Sequence, residues 1–185
     1  MLETVVALGV LGGLLLWVAA TYNGLVRNRT LVEEGWSGIE TQLKRRSNLI
    51  PNLVETVKGY MGQEKGVLEK VTELRSRTGQ AATPGERGKA EGLLGQALAN
   101  VFVVAEAYPD LKSNQNFLDL QRQLAEVEDE VQLARRYYNG TVRNLNIRVD
   151  SFPSNVIAKA FGFLRAEFFE IENEADRAVP TVKFS

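Results

Sequence analysis

The chain has 185 residues, 44 % of them hydrophobic and 24 % charged, which suits one folded domain with an appendage. A net charge of −1 exerts no global pull toward nucleic acid, and no nucleic-acid partner is expected. Neither cysteine nor histidine occurs, which removes disulfides, thiol nucleophiles, Cys/His zinc sites, Ser-His-Asp triads and a lipid-modified cysteine, and leaves only carboxylate chemistry and oxygen-ligated cations.

The first element is an uncharged run, Thr4–Thr21, of 18 residues. As a helix it spans roughly 27 Å, enough for a bilayer core. Val5, Leu8, Leu11, Leu14, Leu15 and Trp17 are the anchor residues, and Trp17 and Tyr22 stand where an aromatic belt would. A buried core helix is disfavoured, because no side of the run is polar. A cleaved leader is suggested by Val18-Ala19-Ala20 but opposed by Glu3 and by the lack of Lys or Arg ahead of the run. The reading is therefore a retained transmembrane anchor over 1–21. Arg27, Arg29, Lys44, Arg45 and Arg46 follow it, so the N-terminus is expected outside and the body in the cytoplasm of a bacterial inner membrane. Gly9 and Gly13 have Gly-x-x-x-Gly spacing and are candidate self-association positions between anchors.

A 3–4 seam of apolar positions then runs from Tyr22 through Leu25, Val32, Trp36, Ile39, Leu43, Ile50, Leu53 and Val57 to Val71 and Leu74, a coiled-coil-like pattern. It crosses Pro51 without changing phase, which predicts one long, kinked helix to Leu74. A break at "SNLIPN", capped by Ser47 or Asn48, is the alternative. Arg46 and Glu64 sit on this seam: Arg46 is expected to reach water along its stem, and a buried Glu64 would need an arginine partner.

"TGQAATPGERG" is a loop, followed by a second helix over about 85–107 with Leu94, Leu98, Val101 and Ala105 on one face. "AYPDLKSN" breaks it, with Asp110 or Ser113 as the next cap. A third helix carries Phe117, Leu120, Leu124, Val127, Val131, Tyr138 and Leu145 up to the break at Phe152-Pro153. A fourth is expected from Ser154 to about Ile171, with Ile157, Phe161, Leu164 and Phe168 on its core stripe. On that helix Phe163 and Phe169 fall on opposite flanks and form a candidate partner surface. Its excess of Glu over Lys and Arg favours a protein contact over anionic lipid. The tail, 174–185, places Pro180, Val182 and Phe184 on one side of an extended peptide suited to docking on another subunit. The fold class is all-α: a transmembrane helix continuing into an antiparallel bundle of about four long helices over 22–173.

One heptapeptide occurs almost twice, "YNGLVRN" at Tyr22–Asn28 and "YNGTVRN" at Tyr138–Asn144. Asn-Gly signals a tight turn, but both copies lie within an unbroken helical period, so both are expected to be helical. Close approach by a neighbouring helix would explain Gly24 and Gly140. Lys44–Arg46 with Arg135 and Arg136 read as solvated helix faces, a basic belt for lipid headgroups or a partner being the alternative, and Glu126, Glu128, Asp129 and Glu130 read as an exposed helix face rather than a metal or acid–base site.

The residues Tyr22-Asn23, Arg45-Arg46, Leu49-Ile50-Pro51-Asn52-Leu53, Tyr108-Pro109, Tyr138-Asn139 and Phe152-Pro153, with the final Pro-x-Val-x-Phe, resemble the LemA family over nearly the whole chain. The resemblance implies a short anchor and an antiparallel helical bundle. It implies no established catalytic activity and no cofactor, and an association with envelope maintenance or membrane shaping. The expectation is a non-enzymatic scaffold with the lipid bilayer and copies of itself as partners. The alternative is an adaptor of an envelope protease or signalling protein.

Overall fold

The computed structural model describes residues 1–62 and 64–171, and among these it is all-helical with no strand. Six helices follow in order: α1 Leu2–Lys58, α2 Lys65–Thr78, α3 Pro84–Ala105, α4 Pro109–Lys112, α5 Gln115–Asp150 and α6 Ser154–Ala160. They divide into two compact units. Unit 1 holds Met1–Ile39 and Ala134–Ala166, and unit 2 holds Glu40–Leu133 with the residues from Glu167 onward.

In unit 2 the C-terminal part of α1, α2, α3 and the start of α5 enclose one core, including Ile50, Leu53, Val71, Leu94, Val101 and Phe117. Helix α1 continues through Pro51. A proline there has no N–H for the carbonyl four residues back, that of Ser47. Arg75, on α2, donates its Nε–H to the Ser47 carbonyl at 2.8 Å and to the Ser47 hydroxyl at 3.1 Å. A guanidinium from the neighbouring helix thus satisfies the group that proline orphans, and the helix need not break.

The expectation of one helix to Leu74 is corrected. Helix α1 ends at Lys58, where Tyr60 and Met61 both donate to the Val57 carbonyl (3.0 Å each), and α2 starts at Lys65. The connection holds Gly59 and Gly62 and sinks Met61 into the core. Its length explains the error. Val57 and Glu64 are one heptad apart, so α2 resumes in phase and an unbroken seam does not require an unbroken backbone.

Helix α3 starts as its sequence dictates. Pro84 occupies the first turn, the Thr83 hydroxyl accepts from Glu86 N–H at 3.2 Å, and the Glu86 carboxylate reaches back to Ala82 N–H at 3.0 Å. Helix α4 is a single turn after Tyr108-Pro109. The cap of α5 is Asn114, whose side chain accepts from Phe117 N–H at 3.1 Å, and not Asp110 or Ser113.

In unit 1, residues of α1 and α5 run antiparallel: Gly24 lies against Arg148, and Gly35 against Tyr138. A Cβ on Gly35 would stand 3.2 Å from the Tyr138 Cα, so this glycine, rather than Gly24 or Gly140, permits the close backbone approach. The fourth long helix is not formed. Helix α6 stops after Ala160 in a Schellman turn: Gly162 has φ 71°, its N–H donates to Lys159 O at 3.3 Å, and Phe163 N–H donates to Ala158 O at 2.9 Å. Residues 163–171 carry no helix. The Asn146 amide holds that segment to α5 at two points, donating to Ala166 O at 3.0 Å and accepting from Ala166 N–H at 2.8 Å. In unit 2 the segment passes over the start of α3, where Gly88 meets the Glu170 backbone and a side chain would collide with it.

Candidate membrane anchor and charged core

Three features carry the chemistry of this chain. The first is the start of α1, which holds an 18-residue apolar window that none of the other described residues covers. Val5, Leu8, Leu11, Leu14, Leu15 and Trp17 are all exposed, and a Cβ on Gly9 or Gly13 would meet nothing within 4 Å.

The second is an aromatic cluster in unit 1 where that window ends. The Tyr22 ring lies 4.9 Å from Phe161 and 5.7 Å, edge-on, from Phe163. The Arg29 guanidinium sits 5.5 Å over the Phe163 ring, a cation–π contact. The Arg148 guanidinium covers Gly24, and Arg165 pairs with Asp150 at 3.3 Å. The placement of Phe163 and Phe169 on helix flanks is corrected. Both lie beyond α6 and both are buried, so neither presents a free partner surface, while Phe161 and Leu164, expected in the core, are exposed. Pro180, Val182 and Phe184 lie outside the described residues.

Both copies of the repeated heptapeptide are helical, one in α1 and one in α5. Their surroundings differ. Tyr138 is 2 % exposed, with the Trp36 ring 5.5 Å away, whereas Tyr22 is 37 % exposed. Gly24 is covered by a side chain and Gly140 by nothing within 4 Å, so close helix approach explains neither.

The third feature is a charged group inside unit 2. Arg46 is 5 % exposed and Glu91 2 %. Arg46 therefore does not reach water as expected. Its Nη1 stands 3.2 Å from Glu128 Oε2 and 3.8 Å from Glu91 Oε2. Arg87 donates to the other Glu91 oxygen at 3.1 Å. Among the described residues nothing donates a hydrogen bond to Glu91 Oε2. Burial lifts the Glu91 carboxyl above the ordinary carboxylate range; Arg46 and Arg87 pull it down, and Glu128 adds a smaller upward push. The buried Arg–Glu pair expected at Glu64 is found at Glu91, while Glu64 is half-buried ahead of α2. Glu91 carried a signal: it lies three residues before Leu94, on the apolar stripe of α3.

Of the remaining motif residues, Ile50 and Leu53 are core, Leu49 and Tyr108 half-buried, and Arg45, Pro51, Asn52 and Asn23 exposed. Asn139 is half-buried, Phe152 projects into solvent, and the Phe152–Pro153 peptide is cis. Among the described residues no three acidic side chains converge to hold a metal ion.

The sequence profile of the LemA family matches residues 35–184. Magnetosome protein MamQ 2 of Paramagnetospirillum magneticum is 25 % identical over 186 residues, covering 86 % of this chain and 68 % of the relative. MamQ of Magnetospirillum gryphiswaldense is 22 % identical with the same coverage. Protein LemA of Metamycoplasma hominis is 26 % identical over 152 residues, 80 % of this chain and 68 % of its own.

Proposed function

This chain belongs to the LemA family, and from that premise we propose that it is a non-enzymatic, single-pass, membrane-anchored helical scaffold that associates with copies of itself. The observation that carries the reading is the uncovered apolar window at the start of α1, which continues as one helix into the folded body. Water solvates such a surface poorly, and a bilayer core matches its length and composition. The buried charges of unit 2 support a structural rather than catalytic role, because Arg46, Arg87, Glu91 and Glu128 engage one another. Membrane confinement with the small residues Gly9 and Gly13 open on the anchor supports self-association. The excess of Arg and Lys after the span supports an inner-membrane protein with its body in the cytoplasm. The likeness to magnetosome proteins supports a role in shaping or maintaining a membrane.

In-cell crosslinking of the full-length chain followed by mass spectrometry tests this. Dominant self-crosslinks are expected. A dominant crosslink to one heterologous protein would instead make the chain an adaptor and contradict the scaffold reading.

A further inference from the structure

The anchor is not the whole apolar surface of unit 1. Phe152 is 83 % exposed and Leu164 81 %, and Val156 and Phe161 are exposed between them. Four large apolar side chains in solvent within one short stretch need a reason. Ile157 and Ala158, on the other side of α6, are buried, so the stretch has an inward and an outward face.

The register of unit 1 says where that outward face lies. Helices α1 and α5 are antiparallel, with Arg148 against Gly24. Counted from the backbone approach of Gly35 to Tyr138, the end of α5 at Asp150 comes level with Asn23, and Phe152 follows two residues later, toward the end of the uncharged run. At the other end of the stretch the Phe161 ring lies tilted against Tyr22, 4.9 Å between centroids. The segment thus begins and ends at the height where α1 leaves the apolar window.

The charge at that height is one-sided. Residues 21–29 and 143–166 contain Arg27, Arg29, Arg143, Arg148, Lys159 and Arg165 against Asp150, which pairs with Arg165, while Arg29 pairs with Glu33 just beyond at 3.8 Å. The glutamates that made a fourth helix look acidic follow Ala166 and are not part of α6.

We propose that the turn after α5, α6 and the residues just beyond it form an interfacial foot. Phe152, Val156, Phe161 and Leu164 enter the headgroup–acyl boundary of the bilayer that α1 spans, and the surrounding cations engage anionic lipid phosphates. This rests on the anchor reading of α1. A second contact beside the span fixes the rotation of α1 about its own axis, which a lone span leaves free.

The chain has no cysteine, so single-cysteine variants accept an environment-sensitive fluorophore at one place each. Full-length Phe152→Cys and Leu164→Cys, with Leu15→Cys in the span and Gly38→Cys further up α1, are labelled and placed in nanodiscs of zwitterionic and anionic phospholipid. Labels at 152 and 164 are expected to shift to the blue and to be quenched by lipid nitroxides near the headgroup. The label at 15 is expected to be quenched by deep nitroxides, and the label at 38 by neither. Removing the anionic lipid is expected to reduce quenching at 152 and 164 only. Quenching at 15 but not at 152 or 164 overturns the foot and leaves the anchor standing. A blue shift at 152 without nitroxide quenching overturns it in favour of contact with a second copy. Quenching equal in both lipid compositions overturns the recognition of anionic phosphates, and an unquenched label at 15 overturns anchor and foot together.

Discussion

Unit 2 turns charged groups inward and sets them against one another, whereas unit 1 turns apolar groups outward. In unit 2 a buried arginine meets two glutamates, and Arg75 takes up the carbonyl that Pro51 releases. In unit 1 an uncovered apolar helix ends beside exposed Phe152, Phe161 and Leu164. One region closes around its own charges, and the other leaves large apolar side chains exposed, which the proposed foot would place at the bilayer boundary. The repeated heptapeptide shows the same division on a small scale, since near-identical residues give the same helix but a buried Tyr138 and a half-open Tyr22. Local sequence sets the helix, and whatever crosses it sets the burial.

Substitutions in each unit test this contrast. The largest effect is expected in unit 2. Arg46→Ala removes the buried cation that Glu91 and Glu128 share, leaving Glu91 with Arg87 alone, and should cost about 3 kcal/mol in urea unfolding. A loss below about 1 kcal/mol would mean that the pair is solvated and that unit 2 is not closed around it. Next, Tyr138→Ala should cost about 3 kcal/mol, because a fully packed ring is removed, while Tyr22→Ala should cost no more than about 1 kcal/mol in detergent. Equal costs at the two positions would erase the contrast between the copies.

The titration of Glu91 comes third. Its carboxyl is raised above the ordinary range, chiefly by burial, so the folded chain holds the proton more tightly than the unfolded chain. Its contribution therefore favours folding below the ordinary carboxylate pKa and is lost as pH rises toward the raised value. Glu91→Gln should remove that falling component from unfolding midpoints measured across acidic to neutral pH. Parallel curves for the two proteins would contradict it. The smallest effect is a gain. Gly140→Ala adds a methyl group to open space within a helix and should stabilise by about 0.5–1 kcal/mol, read as a higher thermal midpoint.

The helices were legible wherever period and punctuation agreed. Thr83-Pro84 with Glu86 announces the start of α3, and the 3–4 stripe from Phe117 to Leu145 is the buried face of α5. The end of α1 was hidden because its connection to α2 preserves heptad phase, so periodicity alone could not separate them. The short α6 was hidden because Gly162 looked like one more residue of an apolar run. Only its position just after Phe161 marks it as a helix terminator, and once the helix stops, Phe163 and Phe169 turn inward. Glu91 stood in plain view on an apolar stripe, but its partner depends on which helices meet, and that is a tertiary fact. The same holds for Arg75 with Ser47 and Asn146 with Ala166, pairs 28 and 20 residues apart that no local pattern connects.

The central claim is that the chain works as an anchored, self-associating scaffold. Native mass spectrometry of the full-length protein released from lipid nanodiscs, over a range of protein-to-disc ratios, tests it most directly. The account predicts discrete multiples of the chain mass carrying bound phospholipid. A clean monomer at every ratio would contradict it.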